Sequence, residues 1–148
     1  MIIEQLNNQN ISQAAQLAYQ LWPEAELSEL KQEFAEKINS NSSEVYLARS
    51  SGQYIGFIEM SLRFDYVEGS HSSPVGYIEG IYVAQSYRKQ GISRKLVEAG
   101  EAWARAQGCS ELASDTELAN IDSQQFHQKL GFAEANRIVS YIKSIAKS

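Results

Sequence analysis

A chain of 148 residues is long enough for one compact domain with its own core, and an apolar share of 43% is ordinary for such a domain, so disorder is not expected. Thirteen basic against eighteen acidic residues leave a formal net charge of −5. That argues against nucleic acid, whose phosphates seek basic surfaces, and favours a cationic ligand through long-range attraction.

The single cysteine, Cys109, leaves no intrachain disulfide and no multi-cysteine metal site, so no metal is expected. It suits a reducing, cytoplasmic setting. No apolar run approaches a membrane span, and Met1 to Leu6 lacks a basic stretch followed by a long apolar one. Neither a membrane partner nor a secretion signal is expected.

Met1 to Leu6 is read as a short strand. Asn10 is placed to cap a helix whose apolar positions Ile11, Ala14, Ala15, Leu17, Ala18, Leu21 and Trp22 follow helical spacing, with Pro23 ending it. Leu27, Leu30, Phe34 and Ile38 mark a second helix. Val45–Arg49 and Tyr54–Leu62 read as a hairpin about a turn at 50–53, and residues 64–76 as a polar, aromatic loop. Tyr77–Val83 is an apolar strand interrupted by Glu79 and Gly80. A helix over 91–107 presents Ile92, Leu96, Val97, Gly100, Trp103 and Ala104 on one side, and Gly108 closes it. Residues 112–114 form a short strand, 123–130 a short helix ended by Gly131, and 132–135 and 137–145 the last strands. The order predicts one α/β domain over residues 1–148, built on a single sheet.

The most specific local pattern is Tyr87-Arg88-Lys89-Gln90-Gly91-Ile92-Ser93-Arg94, between the strand ending at Val83 and the helix after it. The first turn of a helix has unbonded N–H groups and the positive end of the dipole, and Gly91 lets a ligand approach the backbone. Arg88, Lys89, Arg94 and Lys95 surround that turn with positive charge. Basic side chains there oppose the dipole, and an anionic ligand such as a pyrophosphate supplies the reason. The loop is neither a Walker loop nor a dinucleotide fingerprint.

Arg88-x-x-Gly91-x-Ser93 after an apolar strand resembles the acetyl-CoA loop of the GNAT acetyltransferases, Arg/Gln-x-x-Gly-x-Gly/Ala, with Ser93 departing at the last place. Phe126-His127-Gln128-Lys129-Leu130-Gly131-Phe132 resembles that family's final helix and exit. The resemblance implies the GNAT fold, a mixed and mostly antiparallel sheet flanked by about four helices, and acetyl-CoA as acetyl donor. It further implies cofactor contacts from Ile81, Tyr82 and Val83 to the pantetheine arm, from Arg88, Lys89, Gln90, Gly91, Ile92, Ser93 and Arg94 to the phosphates, and from Asn120. His127 stands where the family often has a tyrosine proposed to protonate the leaving thiolate, and histidine can do this chemistry.

A narrower resemblance is carried by Leu21-Trp22-Pro23, Asp65-Tyr66-Val67-x-Gly69, Ser72-Ser73-Pro74-Val75, Glu79-Gly80-Ile81 and Ala113-Ser114-Asp115. In joint order these are similar to the small bacterial aminoglycoside 6'-N-acetyltransferases. A carboxylate amid apolar strand residues, as at Glu79, is costly unless it faces a cleft or a partner. Asp115 follows the end of a strand, where open α/β sheets bind ligands.

The resemblance implies an aminoglycoside site lined by Trp22, Tyr66, Glu79 and Asp115, with Asp115 the base and Glu79 assisting directly or through water. It also implies a homodimer in which 137–145 reaches the partner. Ala25 and Asn136 stand where relatives can have a histidine and a glutamate, so Asn136 leaves that site one carboxylate fewer. A GNAT enzyme for a polyamine, a metabolite amine or a protein N-terminus, and a non-catalytic acetyl-CoA-binding module, are the alternatives.

Overall fold

The computed structural model describes residues 1–147, which divide into two compact units, Met1–Asp115 and the residues from Thr116 onward. In the first unit the elements run β1 (Ile2–Gln5), α1 (Ile11–Leu21), α2 (Leu27–Lys37), β2 (Ser43–Ser50), β3 (Gln53–Arg63), β4 (Val75–Val83), a 3-10 turn (Gln85–Tyr87), α3 (Ile92–Ala106) and β5 (Leu112–Ala113). The strands lie side by side in chain order. Every pairing is antiparallel except β4 with β5, which α3 joins as a parallel crossover.

Alternation along β3 explains the two-sided core. Phe57 faces α1 and α2, in a cluster with Ala14, Leu17, Leu30, Phe34 and Leu47. Its ring meets Phe34 and Trp22 edge-on, with centroids 6.2 and 5.9 Å away. Ile58 and Met60 face α3, whose buried residues are the six that the spacing predicts, Ile92 to Ala104. Full burial of a side chain such as Phe57 contributes about 1.5–3 kcal/mol over leaving it exposed.

Asn10 stands at the N-cap of α1, but its side chain makes no cap bond. Its Oδ1 accepts the Asn7 N–H at 2.8 Å and its Nδ2 donates to the Gln5 carbonyl at 3.0 Å. The expected cap is thus a clasp on the β1–α1 turn, because this buried amide satisfies itself on the preceding backbone.

Between Glu59 and Met60 the register steps from Gly80 to Ile78, so Glu79 is an extra residue in β4 without a cross-strand partner. This is a β-bulge, which bends a strand and re-aims its side chains. On the other side of β4, β5 pairs only at Gly76 and Tyr77. Past Tyr77 that edge of β4 has no strand partner among the described residues.

The second unit contains α4 (Ile121–Lys129). Asn120 caps it, accepting the Ser123 N–H at 3.1 Å. The strands expected at 132–135 and 137–145 are not formed: residues 132–147 carry neither helix nor strand. Strand propensity is satisfied only by hydrogen bonds to a neighbouring edge, and this segment has none among the described residues. Its Ile138, Val139, Tyr141, Ile142 and Ile145 are exposed.

Candidate active site

The bulge delivers Glu79 into a polar network at the ends of β3, β4 and β5. The Ser61 hydroxyl donates to Glu79 Oε2. Arg63 Nε donates to the same oxygen at 3.1 Å, and its Nη2 reaches both oxygens at 2.9 and 3.0 Å. The guanidinium lies over the Tyr77 ring, 3.4 Å from its centroid. The Tyr77 hydroxyl in turn donates to Asp115 Oδ2. Sequence reasoning placed Glu79 and Asp115 near one another but missed Ser61, Arg63 and Tyr77, which join them. Burial and then the Asp115 hydrogen bond push the Tyr77 phenol up to about 12, so it remains a donor at ordinary pH. The hydrogen bonds to Glu79 likewise hold the Arg63 guanidinium above its usual range.

Glu79 also lines an open cleft of about 340 Å³ with Trp22, Ala25, Leu30, Glu33 and Glu59. Trp22 lies across β4 because residue 80 is glycine: a Cβ there would come within 2.6 Å of the indole. Three carboxylates therefore meet an aromatic wall. Glu59, unremarked in the sequence, is only 9% exposed. Lys37 is 3.6 Å from it. Burial holds the Glu59 carboxyl above the usual range, the attraction of Lys37 opposes this, and repulsion from Glu79 and Glu33 adds to it. Its one sequence signal is a charge at a core-facing position of β3, two residues after Phe57 on the same face.

The loop after β4 takes the expected shape. Lys89 and Gly91 have positive φ, 63° and 80°, and Gly91 is the N-cap of α3. A glycine cap offers no side chain to the first-turn N–H groups, and Ile92, Ser93 and Arg94 supply that turn. Arg88 is held back toward the strand: its Nε donates to the Val83 carbonyl at 2.8 Å, and its guanidinium sits 5.7 Å from the Tyr82 ring centre. Gln90 and Lys89 are exposed, Val83 is buried, and Ile81 and Tyr82 lie on the stretch of β4 whose outer edge has no strand partner among the described residues.

Tyr66 lies on the 64–74 loop, 73% exposed, its hydroxyl accepting the Gly69 N–H at 3.3 Å. That loop is tied to the start of β5 through Glu111, which accepts the His71 N–H at 2.8 Å and the Ser72 hydroxyl. The remaining predicted residues belong to the second unit. Asn120 caps α4, and Asn136 is exposed. His127 packs edge-on against Phe126 and Phe132. Its Nδ1 is 2.7 Å from the Ser123 carbonyl oxygen.

A family model described as "Acetyltransferase (GNAT) family" matches residues 10–132. The chain belongs to the GNAT acetyltransferase family. Its fold, five strands with four α-helices among the described residues, is the GNAT fold.

Among the relatives of this GNAT chain is an aminoglycoside N(6')-acetyltransferase type 1 of Serratia marcescens, 45% identical over 126 residues, 84% of this chain and 86% of that one. Another of that name, from Salmonella typhimurium, is 38% identical over 147 residues, 97% of this chain and 99% of that one. The structure of AAC(6')-Iy in complex with the bisubstrate analog CoA-S-monomethyl-acetylneamine matches with a TM-score of 0.93 and 37% identity, covering 97% of each chain.

The raised Glu59 carboxyl has a consequence for stability. The folded state binds its proton more tightly than the unfolded state does, so the contribution to stability is present at low pH and lost as pH rises through the folded value. Replacing Glu59 with glutamine is therefore expected to raise the melting temperature near neutral pH by about 2–4 °C, the effect of roughly 1 kcal/mol in a chain of this size. The gain should shrink toward about pH 4, where the native carboxyl is itself protonated. Thermal unfolding of both proteins at the two pH values checks this. A gain that is equal at both contradicts it.

Proposed function

We propose that this chain transfers the acetyl group of acetyl-CoA to the 6'-amine of an aminoglycoside. The observation that carries the reading is the cleft in which Glu33, Glu59 and Glu79 meet Trp22, chemistry suited to a polycationic sugar. It stands on the strand whose outer edge, from Ile78 to Val83, has no strand partner among the described residues. Such an edge offers backbone N–H and C=O groups to the amide-bearing pantetheine arm, and the turn that opens at Gly91 offers N–H groups and the charges of Lys89, Arg94 and Lys95 to the pyrophosphate. The names of the Serratia and Salmonella relatives, and the CoA–neamine analog bound to AAC(6')-Iy, support the same donor and acceptor.

In this reading Asp115 takes the proton of the substrate ammonium, with Glu79 helping to hold the amine. The amine nitrogen then bonds to the thioester carbonyl carbon. Collapse of the tetrahedral intermediate breaks the C–S bond and releases coenzyme A, whose thiolate takes a proton from an acid for which His127 is the candidate. Trp22, Tyr66 and Asn136 contact the sugar. Ile81, Tyr82 and Val83 bind the pantetheine arm, while residues 88–94 and Asn120 bind the remainder of the cofactor. Because Arg88 already bonds Val83, its part is to shape the loop, and Arg94 has the larger share of phosphate binding.

The exposed apolar residues from Ile138 to Ile145 fit a strand that finds its edge in a second copy, so the working form is a homodimer. The lone cysteine, Cys109, is consistent with a cytoplasmic enzyme. No helix among the described residues is long and apolar enough to cross a membrane.

The test is acetyl-CoA-dependent thiol release with neamine and, separately, with paromamine, which carry an amine and a hydroxyl at the 6' position. Release with neamine alone is expected. Release with neither, while acetyl-CoA still binds, overturns the acceptor and directs attention to polyamines and peptide N-termini. Arg94→Ala is expected to raise the acetyl-CoA dissociation constant about tenfold, a loss of about 1.4 kcal/mol. Calorimetric titration checks it, and an unchanged constant removes Arg94 from the phosphate site.

A further inference from the structure

We propose that Tyr77 and Arg63 are positioning residues that fix Asp115 and Glu79 in one arrangement around the acceptor amine, an inference that rests on the acetyl transfer proposed above. Ser61 and Tyr77 face each other across β3 and β4, and their hydroxyls go to different carboxylates, Ser61 to Glu79 and Tyr77 to Asp115. Arg63 ties the two halves together. It leaves the end of β3, lies over the Tyr77 ring 3.4 Å from its centroid, and grips Glu79 with three hydrogen bonds.

The constraint is electrostatic as well as geometric. Two carboxylates that serve one amine repel each other, and each can swing toward water when no amine is present. A guanidinium between them offsets the repulsion. Its planar fork holds Glu79 in a single rotamer in a way that a lysine point charge does not. Below it, the aromatic ring packs against the guanidinium, which opposes a swing of the whole Tyr77 side chain and so keeps in place the hydroxyl that donates to Asp115. Tyr77 pairs in parallel with Ala113, two residues before Asp115, so ring and carboxylate are anchored to adjacent strands. The upward displacement of the Tyr77 phenol, caused by burial and then by Asp115, keeps the donor protonated throughout the range in which the carboxylate acts as base.

Steady-state kinetics with neamine and acetyl-CoA on the full chain and two variants test this. Tyr77→Phe keeps the ring beneath Arg63 and removes only the hydroxyl. Its kcat should fall about a hundredfold, the cost of a small misplacement of reacting groups, with the acetyl-CoA KM and the melting temperature unchanged. Arg63→Gln should also lower kcat, while the neamine KM does not rise, because losing a positive charge leaves the cleft more acidic. A purely structural role would not separate kcat from KM in this way.

Wild-type kcat in Tyr77→Phe overturns the proposal. So does a loss matched by equal weakening of acetyl-CoA binding and of thermal stability. For Arg63, an unchanged kcat or a rise in neamine KM alone does the same. Absence of neamine turnover in the unaltered chain would instead overturn the acceptor assignment and this inference together, an outcome distinct from each of these.

Discussion

One residue too many in β4 governs how this molecule presents its chemistry. Glu79 has no partner across β3, an irregularity of the kind that re-aims the side chains of a strand. The bulge lies two residues beyond the point where β5 ceases to pair, after Tyr77 and Ala113. From there the outer edge of β4 has no strand partner among the described residues. A regular strand would have left Glu79 in the alternation and carried the ladder further. The irregular one gives a carboxylate facing a cleft, on the same element as an edge without a strand partner among the described residues. In the acetyl transfer proposed above, the first would hold the charged acceptor and the second the amides of the pantetheine arm.

Charge is managed around that bulge with few cations. Glu33, Glu59 and Glu79 share a cleft, and Asp115 is linked to Glu79 through Tyr77 and Arg63. Lys37 attends Glu59 and Arg63 attends Glu79, which leaves the group net negative. Burial is the main cause of the raised Glu59 carboxyl, and repulsion from Glu79 and Glu33 adds to it, a part that a polycationic acceptor would relieve. Gly80 makes the arrangement possible at close quarters by letting the Trp22 indole lie over the strand.

What could be read in the sequence was what local spacing encodes. The buried face of α3, the hairpin of β2 and β3, and the opening of α3 at Gly91 all follow from periodicity and turn chemistry. Glu79 was recognisable as an anomaly because a charge sat among apolar strand residues. Arg63, Ser61 and Tyr77 were not, because their importance lies in cross-strand neighbours that no linear pattern lists. Glu59 was hidden for a related reason: only the packing of α2 over β3 makes that position buried. The segment from 132 to 147 misled in the opposite direction, since strand-like composition was present without an edge to pair with among the described residues. Asn10 had the right residue type for a cap and used its side chain on the preceding turn instead.

The central claim is that Asp115 and Glu79 act on the acceptor amine and not on the acetyl donor. The most direct measurement is kcat/KM for neamine, alongside calorimetric acetyl-CoA affinity, in Asp115→Asn and Glu79→Gln, which keep size and remove charge. A fall in kcat/KM of about a hundredfold or more in each, with acetyl-CoA affinity unchanged, is the predicted result. Wild-type turnover in both variants, or a loss confined to acetyl-CoA binding, would contradict it.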